Sequence, residues 1–150
     1  MLIVVSSRKD IYENIETHAS RFPAVISILD IHKMGNNQKP IETDRPLLSL
    51  RFSDATSKSR IKKIKLMTMK DAEAIVEFVE NRPDNCRCII VHCNRGRSRS
   101  AAIATALHYG FYGHLGNFVK KPYKPNEHVL TLTLRVIEKV IRKISNDLHD

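Results

Sequence analysis

The sequence predicts a single α/β domain over residues 1–150, in which a mostly parallel central sheet is flanked by helices. Short continuous apolar runs, typical of buried strands, alternate along the chain with segments whose apolar residues have helical spacing. The length suits one domain, and we find no internal repeat, low-complexity segment or long linker that would divide it.

Four apolar runs predict the strands, at residues 2–5, 24–29, 47–52 and 88–92. Between the first two runs, Ser7 and Asp10 have the spacing of a capping box, and apolar residues recur at helical intervals from Ile11 to Phe22. Pro23 is expected to end that helix. Residues 30–46 are polar, with glycine and two prolines, and predict a loop.

Three further helices are expected after the third strand. Thr68 and Asp71 form a second capping-box pattern, before an apolar face of Ala72, Ile75, Val76 and Val79. Residues 99–109 are apolar nearly all round, which indicates a helix buried in the domain and ended by Gly110 and Gly113. Asn126 is the expected N-cap of the last helix. The predicted buried stripe of that helix consists of Val129, Val136, Val140, Ile144 and Leu148.

The chain is basic, with a formal net charge of +9, and residues 85–126 and 55–70 contain no acidic side chain at all. The cations of these two stretches are Arg87, Arg95, Arg97, Arg99, Lys120, Lys121, Lys124, Lys58, Arg60, Lys62, Lys63, Lys65 and Lys70. A positive field of this kind favours anionic partners such as phosphates, nucleic acid or acidic peptides. We see no aromatic stacking platform near the basic residues, so nucleic-acid specificity is not the expectation.

The three cysteines, Cys86, Cys88 and Cys93, lie within eight residues, an arrangement that does not suit a secreted disulfide framework. They are expected to be thiols in a reducing compartment, which makes the cytoplasm the expected location. No apolar stretch is long enough for a membrane span, and the apolar N-terminus lacks the basic region of a signal peptide. The histidines have no metal-ligand spacing, so we expect neither a metal nor another cofactor.

The segment from Ile89 to Ser100 carries the predicted chemistry, because a buried strand there runs directly into a short loop and then into a helix. This layout places a helix N-terminus and loop N–H groups at one point, as in anion sites. Cys93 lies at the mouth of this positive cradle, which favours its thiolate and allows it to attack phosphorus. Arg99 has the fork geometry to bind two phosphoryl oxygens. The expected phosphate-binding residues are Asn94, Arg95, Gly96, Arg97, Ser98 and Arg99.

The pattern His92-Cys93-x-x-Gly96-x-x-Arg99-Ser100 resembles the signature of the protein tyrosine and dual-specificity phosphatase superfamily. The whole chain is similar to its small bacterial-type members, with further support from residues 48–54 and 125–129. The resemblance implies a phosphatase fold and metal-free hydrolysis of phosphomonoesters through a phosphocysteine. It also implies that His92 orients the loop, while Ser100 is positioned to hydrogen-bond the sulfur as it leaves.

The resemblance further implies a general acid on a loop before the signature, but the chain has no Trp and therefore lacks the Trp-Pro-Asp form of that loop. We expect Asp54, which follows the third strand, to protonate the leaving oxygen and then to act as the base. Asp44 is the second choice and Asp30 the third. A redox pairing of Cys88 with Cys93 is an additional hypothesis.

The expected substrate is a phosphorylated protein or another phosphate monoester. Because the signature requires only Arg99, Arg95 and Arg97 are free to recognise a polyanion such as an acidic phosphopeptide, a phosphoinositide or an RNA 5′ phosphate. The alternative is that these two arginines point into solvent or pair with nearby carboxylates. Two other function classes remain open: a non-catalytic phosphate-binding module and a sulfur-transfer enzyme, although Arg99-Ser100 matches the phosphatase pattern.

Overall fold

The computed structural model describes residues 1–31, 38–57 and 64–149 of the chain. Strand β1 spans Leu2–Ser7, β2 spans Ala24–Leu29, β3 spans Leu47–Arg51 and β4 spans Cys88–Cys93. Helix α1 spans Ile11–Thr17, α2 spans Met69–Glu80, α3 spans Arg99–Tyr112 and α4 spans Glu127–His149. The predicted α/β fold class is therefore confirmed.

The sheet is parallel throughout its described strands, in the order β1-β4-β2-β3. The two inner strands, β4 and β2, are completely buried, as expected for apolar runs covered on both faces. Because all strands run in the same direction, their carboxyl ends lie at one edge of the sheet, which is where open α/β sheets bind ligands. Cys93 is the last residue of a central strand at that edge.

Two apolar clusters lie on opposite faces of the sheet, and the side chains of β4 alternate between them. Ile89 and Val91 join the larger cluster, which α2, α3 and α4 cover. Cys88 and Ile90 join the smaller cluster with Ile11 of α1. This alternation with a period of two places His92 and Cys93 on opposite faces at the end of the strand.

The first helix is shorter than predicted. Helix α1 ends at Thr17, and a separate 3₁₀ turn follows at Ala19–Arg21. Phe22, which was expected to continue the apolar face, adopts a left-handed conformation and is 50% exposed. Ser7 and Asp10 do hydrogen-bond each other, but Ser7 ends β1, and Asp10 is the residue that precedes the helix.

Helix α2 agrees with its prediction in detail. Thr68 Oγ1 accepts a hydrogen bond from the backbone N–H of Asp71, and Asp71 Oδ2 accepts one from the N–H of Thr68. The four residues predicted to face the core are the ones that are buried.

Helix α3 passes Gly110 and ends at Tyr112, so Gly110 does not stop it. A Cβ atom at Gly110 would lie 3.2 Å from Ile137 Cγ2, which indicates that this glycine lets α3 and α4 pack closely. The predicted stripe on α4 is buried only in its first half, at Val129 and Val136. Ile144 and Leu148 are 55% and 79% exposed, because α4 continues past the helices that cover its beginning. None of the helices in the described ranges has the length and apolar character of a membrane span.

Candidate active site

The loop between β4 and α3 is packed beneath the end of β1. Gly96 lies at its centre with a φ of +69°, a left-handed conformation that favours glycine. A Cβ atom at this position would lie 2.7 Å from the carbonyl carbon of Ser6 and from the nitrogen of Ser7. The backbone N–H of Arg8 also donates to the carbonyl of Asn94, at 3.1 Å. The loop therefore requires glycine here for both its backbone angle and its close approach to β1.

The Cys93 thiol lies next to the first turn of α3. Its Sγ atom is 3.0 Å from the hydroxyl oxygen of Ser100, and both residues are almost completely buried. In the thiolate form of Cys93 the Ser100 hydroxyl is the donor, which stabilises negative charge on sulfur. This is the contact that the sequence predicted for Ser100.

Arg99 is 4% exposed, and the two terminal nitrogens of its guanidinium group have acceptors. Nη1 donates to the carbonyl of Phe52 at 2.9 Å, and Nη2 contacts Asp30 Oδ1 at 2.5 Å. The Nε atom is buried and has no hydrogen-bond partner among the described residues. A buried N–H without an acceptor lowers the free energy of unfolding, so an anion that accepts from it would be bound favourably.

His92 is fully buried between strands. Its Nε2 atom lies 2.6 Å from the hydroxyl of Ser27, its cross-strand neighbour in β2. Burial lowers the pKa of His92 to about 4; the backbone of Cys93 opposes this change, while the charges of Arg8 and Arg99 reinforce it. His92 is therefore neutral at physiological pH and adds no positive charge beside the thiol.

A cleft of about 330 Å³ opens above Cys93. The residues that line it are Asp30, Asp54, Cys93, Asn94, Arg95, Arg97, Ser98 and Arg99. The structure thus brings together the predicted nucleophile, the arginine predicted to bind phosphate and two of the three proposed acids. Asp44, the second choice, is exposed and is not among the described residues that line the cleft.

Asp54 is exposed on the segment that follows β3, and two neutral donors hold one of its carboxylate oxygens. Asp54 Oδ1 accepts hydrogen bonds from Ser98 Oγ at 2.7 Å and from Asn126 Nδ2 at 2.8 Å. In the sequence, Asn126 was predicted to cap a helix and belonged to the segment 125–129 that supports the resemblance. Nothing in its local pattern indicated the contact with Asp54, because the two residues are 72 positions apart.

Arg95 and Arg97 are exposed on the rim of the cleft. Neither forms an ion pair with an acidic side chain within residues 1–31, 38–57 and 64–149. The segment before α4 bonds to this rim, since the N–H of Lys124 donates to the carbonyl of Arg97 at 2.8 Å. Four cations of the acid-free stretch 55–70, namely Lys58, Arg60, Lys62 and Lys63, lie outside the described residues.

The hypothesis of a redox pair between Cys88 and Cys93 is wrong. These residues occupy opposite ends of β4, and five strand residues correspond to about 17 Å, far beyond the reach of a disulfide. Burial, together with the neighbouring Cys86, raises the pKa of Cys88 to about 11. Cys88 is therefore an unreactive thiol in the core.

No protein-family model and no curated protein sequence matches this chain. Solved structures do match. PTPMT1 in complex with PI(5)P has a TM-score of 0.61 and 12% identity, covering 95% of this chain and 94% of that chain. A second structure of PTPMT1 has a TM-score of 0.59 and 13% identity, covering 97% and 95%.

Human DUSP28 has a TM-score of 0.51 and 15% identity, covering 94% of each chain. At these identities the likeness is one of fold, and it extends over nearly the whole length of the chain.

Proposed function

We propose that this chain, which has the fold of the protein tyrosine and dual-specificity phosphatase superfamily, is a cysteine-dependent phosphatase that hydrolyses phosphate monoesters without a metal. The observation that supports this best is the meeting of Cys93, Arg99 and Asp54 in one cleft. These residues come from the end of β4, the start of α3 and the segment after β3. A thiol, a phosphate-binding cation and a proton donor are the groups that such a reaction requires.

In the proposed first step, the Cys93 thiolate attacks the phosphorus atom of the ester. The S–P bond forms while the bond from phosphorus to the leaving oxygen breaks, and the bonding electrons pass to that oxygen. Asp54 supplies the proton that the leaving oxygen takes up. The Nε–H of Arg99 and the second hydrogen of Nη2, which the contact with Asp30 leaves unused, donate to two phosphoryl oxygens, and this positions the phosphoryl group and stabilises its charge.

In the proposed second step, water hydrolyses the phosphocysteine. The Asp54 carboxylate accepts a proton from the attacking water, and the P–O bond forms as the S–P bond breaks. Cys93 leaves as a thiolate, to which Ser100 donates a hydrogen bond across the 3.0 Å contact. Inorganic phosphate is released, and Asp54 is again protonated for the next cycle.

The test is hydrolysis of an aryl phosphate in the presence of a metal chelator. We expect turnover by the unmodified protein and essentially none by Cys93→Ser, because a serine hydroxyl is a far weaker nucleophile than a thiolate. The matched control is Cys86→Ser, which removes another buried thiol outside the cleft and is expected to retain full activity. Full turnover by Cys93→Ser, or turnover only with added divalent metal, would contradict the proposal.

A polyanion is the substrate class that a specific observation favours. Arg95 and Arg97 line the cleft rim without acidic partners in the described part of the chain, so both charges are available to a substrate. PTPMT1, one of the structural neighbours, was solved in complex with PI(5)P, a phosphoinositide. We therefore propose a phosphoinositide or an acidic phosphopeptide, with charge beyond the scissile phosphate, as the preferred substrate of this site.

A further inference from the structure

Asn126 forms hydrogen bonds to three parts of the molecule: the segment after β3, the loop before α3 and the first turn of α4. Its Nδ2 donates to Asp54 Oδ1 at 2.8 Å and to the carbonyl of Ala55 at 3.2 Å. Its Oδ1 accepts from the N–H of Val129 at 3.1 Å, which caps α4. Its backbone N–H donates to the carbonyl of Ser98 at 3.1 Å.

This arrangement connects the proposed acid to the phosphate-binding loop. Asp54 lies after β3 and before α2, outside any regular element, so its position depends on contacts with other segments. Asn126 is 6% exposed and is held by α4, whose first half is buried against the core. A buried amide on a packed helix is a rigid support for an exposed carboxylate.

The contacts distinguish the two carboxylate oxygens of Asp54. Oδ1 accepts from both Asn126 and Ser98, at 2.8 Å and 2.7 Å. With Oδ1 engaged by two neutral donors, Oδ2 is the oxygen left to carry the transferred proton. We propose that Asn126 is a positioning residue that fixes Asp54 over the cleft and presents Oδ2 to the leaving oxygen. The role rests on the proposed function, because it acts only through acid catalysis by Asp54.

The two roles of Asn126 can be separated by Asn126→Asp. Aspartate is as good an N-cap as asparagine, so its carboxylate still accepts from the N–H of Val129 and keeps α4 capped. The aspartate side chain has no N–H to donate to Asp54, however, and it places a second negative charge beside that residue. The variant therefore tests the donor without removing the cap.

The experiment measures kcat on two esters, one with a good leaving group (p-nitrophenyl phosphate) and one with a poor leaving group (an alkyl phosphate). A general acid contributes roughly 10²- to 10⁴-fold, mainly where the leaving group is poor. We expect Asn126→Asp to lower kcat on the alkyl phosphate on the order of tenfold or more, with a much smaller loss on p-nitrophenyl phosphate.

In the Asp54→Asn background, the same change is expected to cause no further loss, because residues that act through one another are not additive.

The matched control is Thr68→Ala, which removes the cap of α2 without touching the cleft. It is expected to lower Tm and to leave both rates unchanged. Equal losses on the two esters, a full further loss in the Asp54→Asn background, or wild-type rates for Asn126→Asp would each overturn the positioning role while leaving the phosphatase intact. Absence of Cys93-dependent turnover in the unmodified protein would overturn the proposed function and this role together.

Discussion

Strands β2 and β3 are neighbours in the sheet, and each is followed by an aspartate that lines the cleft, yet the two carboxylates have different partners. Asp30, directly after β2, contacts the buried guanidinium of Arg99 at 2.5 Å. Asp54, after β3, accepts hydrogen bonds from two neutral donors among the described residues, Ser98 and Asn126. Asp30 is therefore part of an ion pair that fixes a buried guanidinium group, whereas Asp54 is held by uncharged side chains.

This difference supports different roles for the two residues in the proposed mechanism. In the proposed mechanism the acid must release and recover a proton in each cycle, and Asp54 is the cleft carboxylate that forms no ion pair within residues 1–31, 38–57 and 64–149. Asp30 instead holds one end of Arg99, and the Nε atom at the other side of the guanidinium group has no partner in the described part of the chain. Because both residues lie at the same edge of the sheet, position alone does not distinguish them, and their partners do.

Among variants of the charged residues around the cleft, the largest effect on turnover is expected from Asp54→Asn. The amide cannot donate a proton as a carboxylic acid does, so kcat on an ester with a poor leaving group is expected to fall about 100-fold or more. Esters with good leaving groups are expected to lose much less, and the pH profile on the poor ester should lose its descending limb. Equal losses on both esters, together with an unchanged pH profile, would transfer the acid role to another residue.

A smaller effect is expected from Asp30→Ala. Without its carboxylate partner, Arg99 keeps the contact with Phe52 but is less well fixed, so kcat/KM is expected to fall roughly tenfold, to the same degree for good and poor leaving groups. Asp30→Asn retains an acceptor oxygen and should lose less. A loss confined to poor leaving groups would identify Asp30 as the acid and reverse the comparison.

The double variant Arg95→Ala/Arg97→Ala tests whether these two rim cations bind substrate, since neither Asp30 nor Asp54, both among the described residues, forms an ion pair with them. We expect a loss of several-fold in kcat/KM on a polyanionic ester and little change on a simple aryl phosphate, because exposed cations act through the electric field. High salt should remove most of the difference between the two proteins. A uniform loss on both substrates would show that these arginines only shape the loop.

The smallest effect on turnover near neutral pH is expected from replacing His92. Protonation of this residue instead lowers the stability of the folded protein at acid pH, which limits the pH range in which the Asp54 and Asp30 variants can be compared. The pKa of His92 is about 4 in the folded protein and about 6.5 when unfolded, so the unfolded state binds more protons between these values. The free energy of unfolding therefore suffers no loss from His92 above about pH 7, and it falls as the pH is lowered toward 4.

This stability effect is measurable by denaturant unfolding at pH 7.5 and pH 5. His92 is expected to account for about 2 kcal/mol of the loss between these pH values, and His92→Asn should show a correspondingly smaller loss. An identical pH dependence in the variant would mean that His92 titrates normally in the folded protein.

Local patterns were sufficient wherever the deciding contacts are close in the chain. The Thr68 capping box and the buried face of α2 depend on residues three or four positions apart, and both predictions are confirmed. The loop from Cys93 to Arg99 was likewise placed correctly between a strand and a helix. Predictions at element ends were less accurate: α1 is shorter, α3 passes Gly110, and the stripe on α4 is exposed beyond Ile141.

The sequence by itself determined the parallel α/β architecture, the strand–loop–helix layout around Cys93, and the presence of Gly96 and Arg99 at their places in the loop. Only the tertiary structure decided which carboxylate meets which donor. Asp30 is 69 positions from Arg99, Asp54 is 44 positions from Ser98, and Asn126 is 72 positions from Asp54. The physical reason is that helix and strand patterns report hydrogen bonds and burial within a few residues, whereas these contacts arise only when separate strands end at the same edge of the sheet.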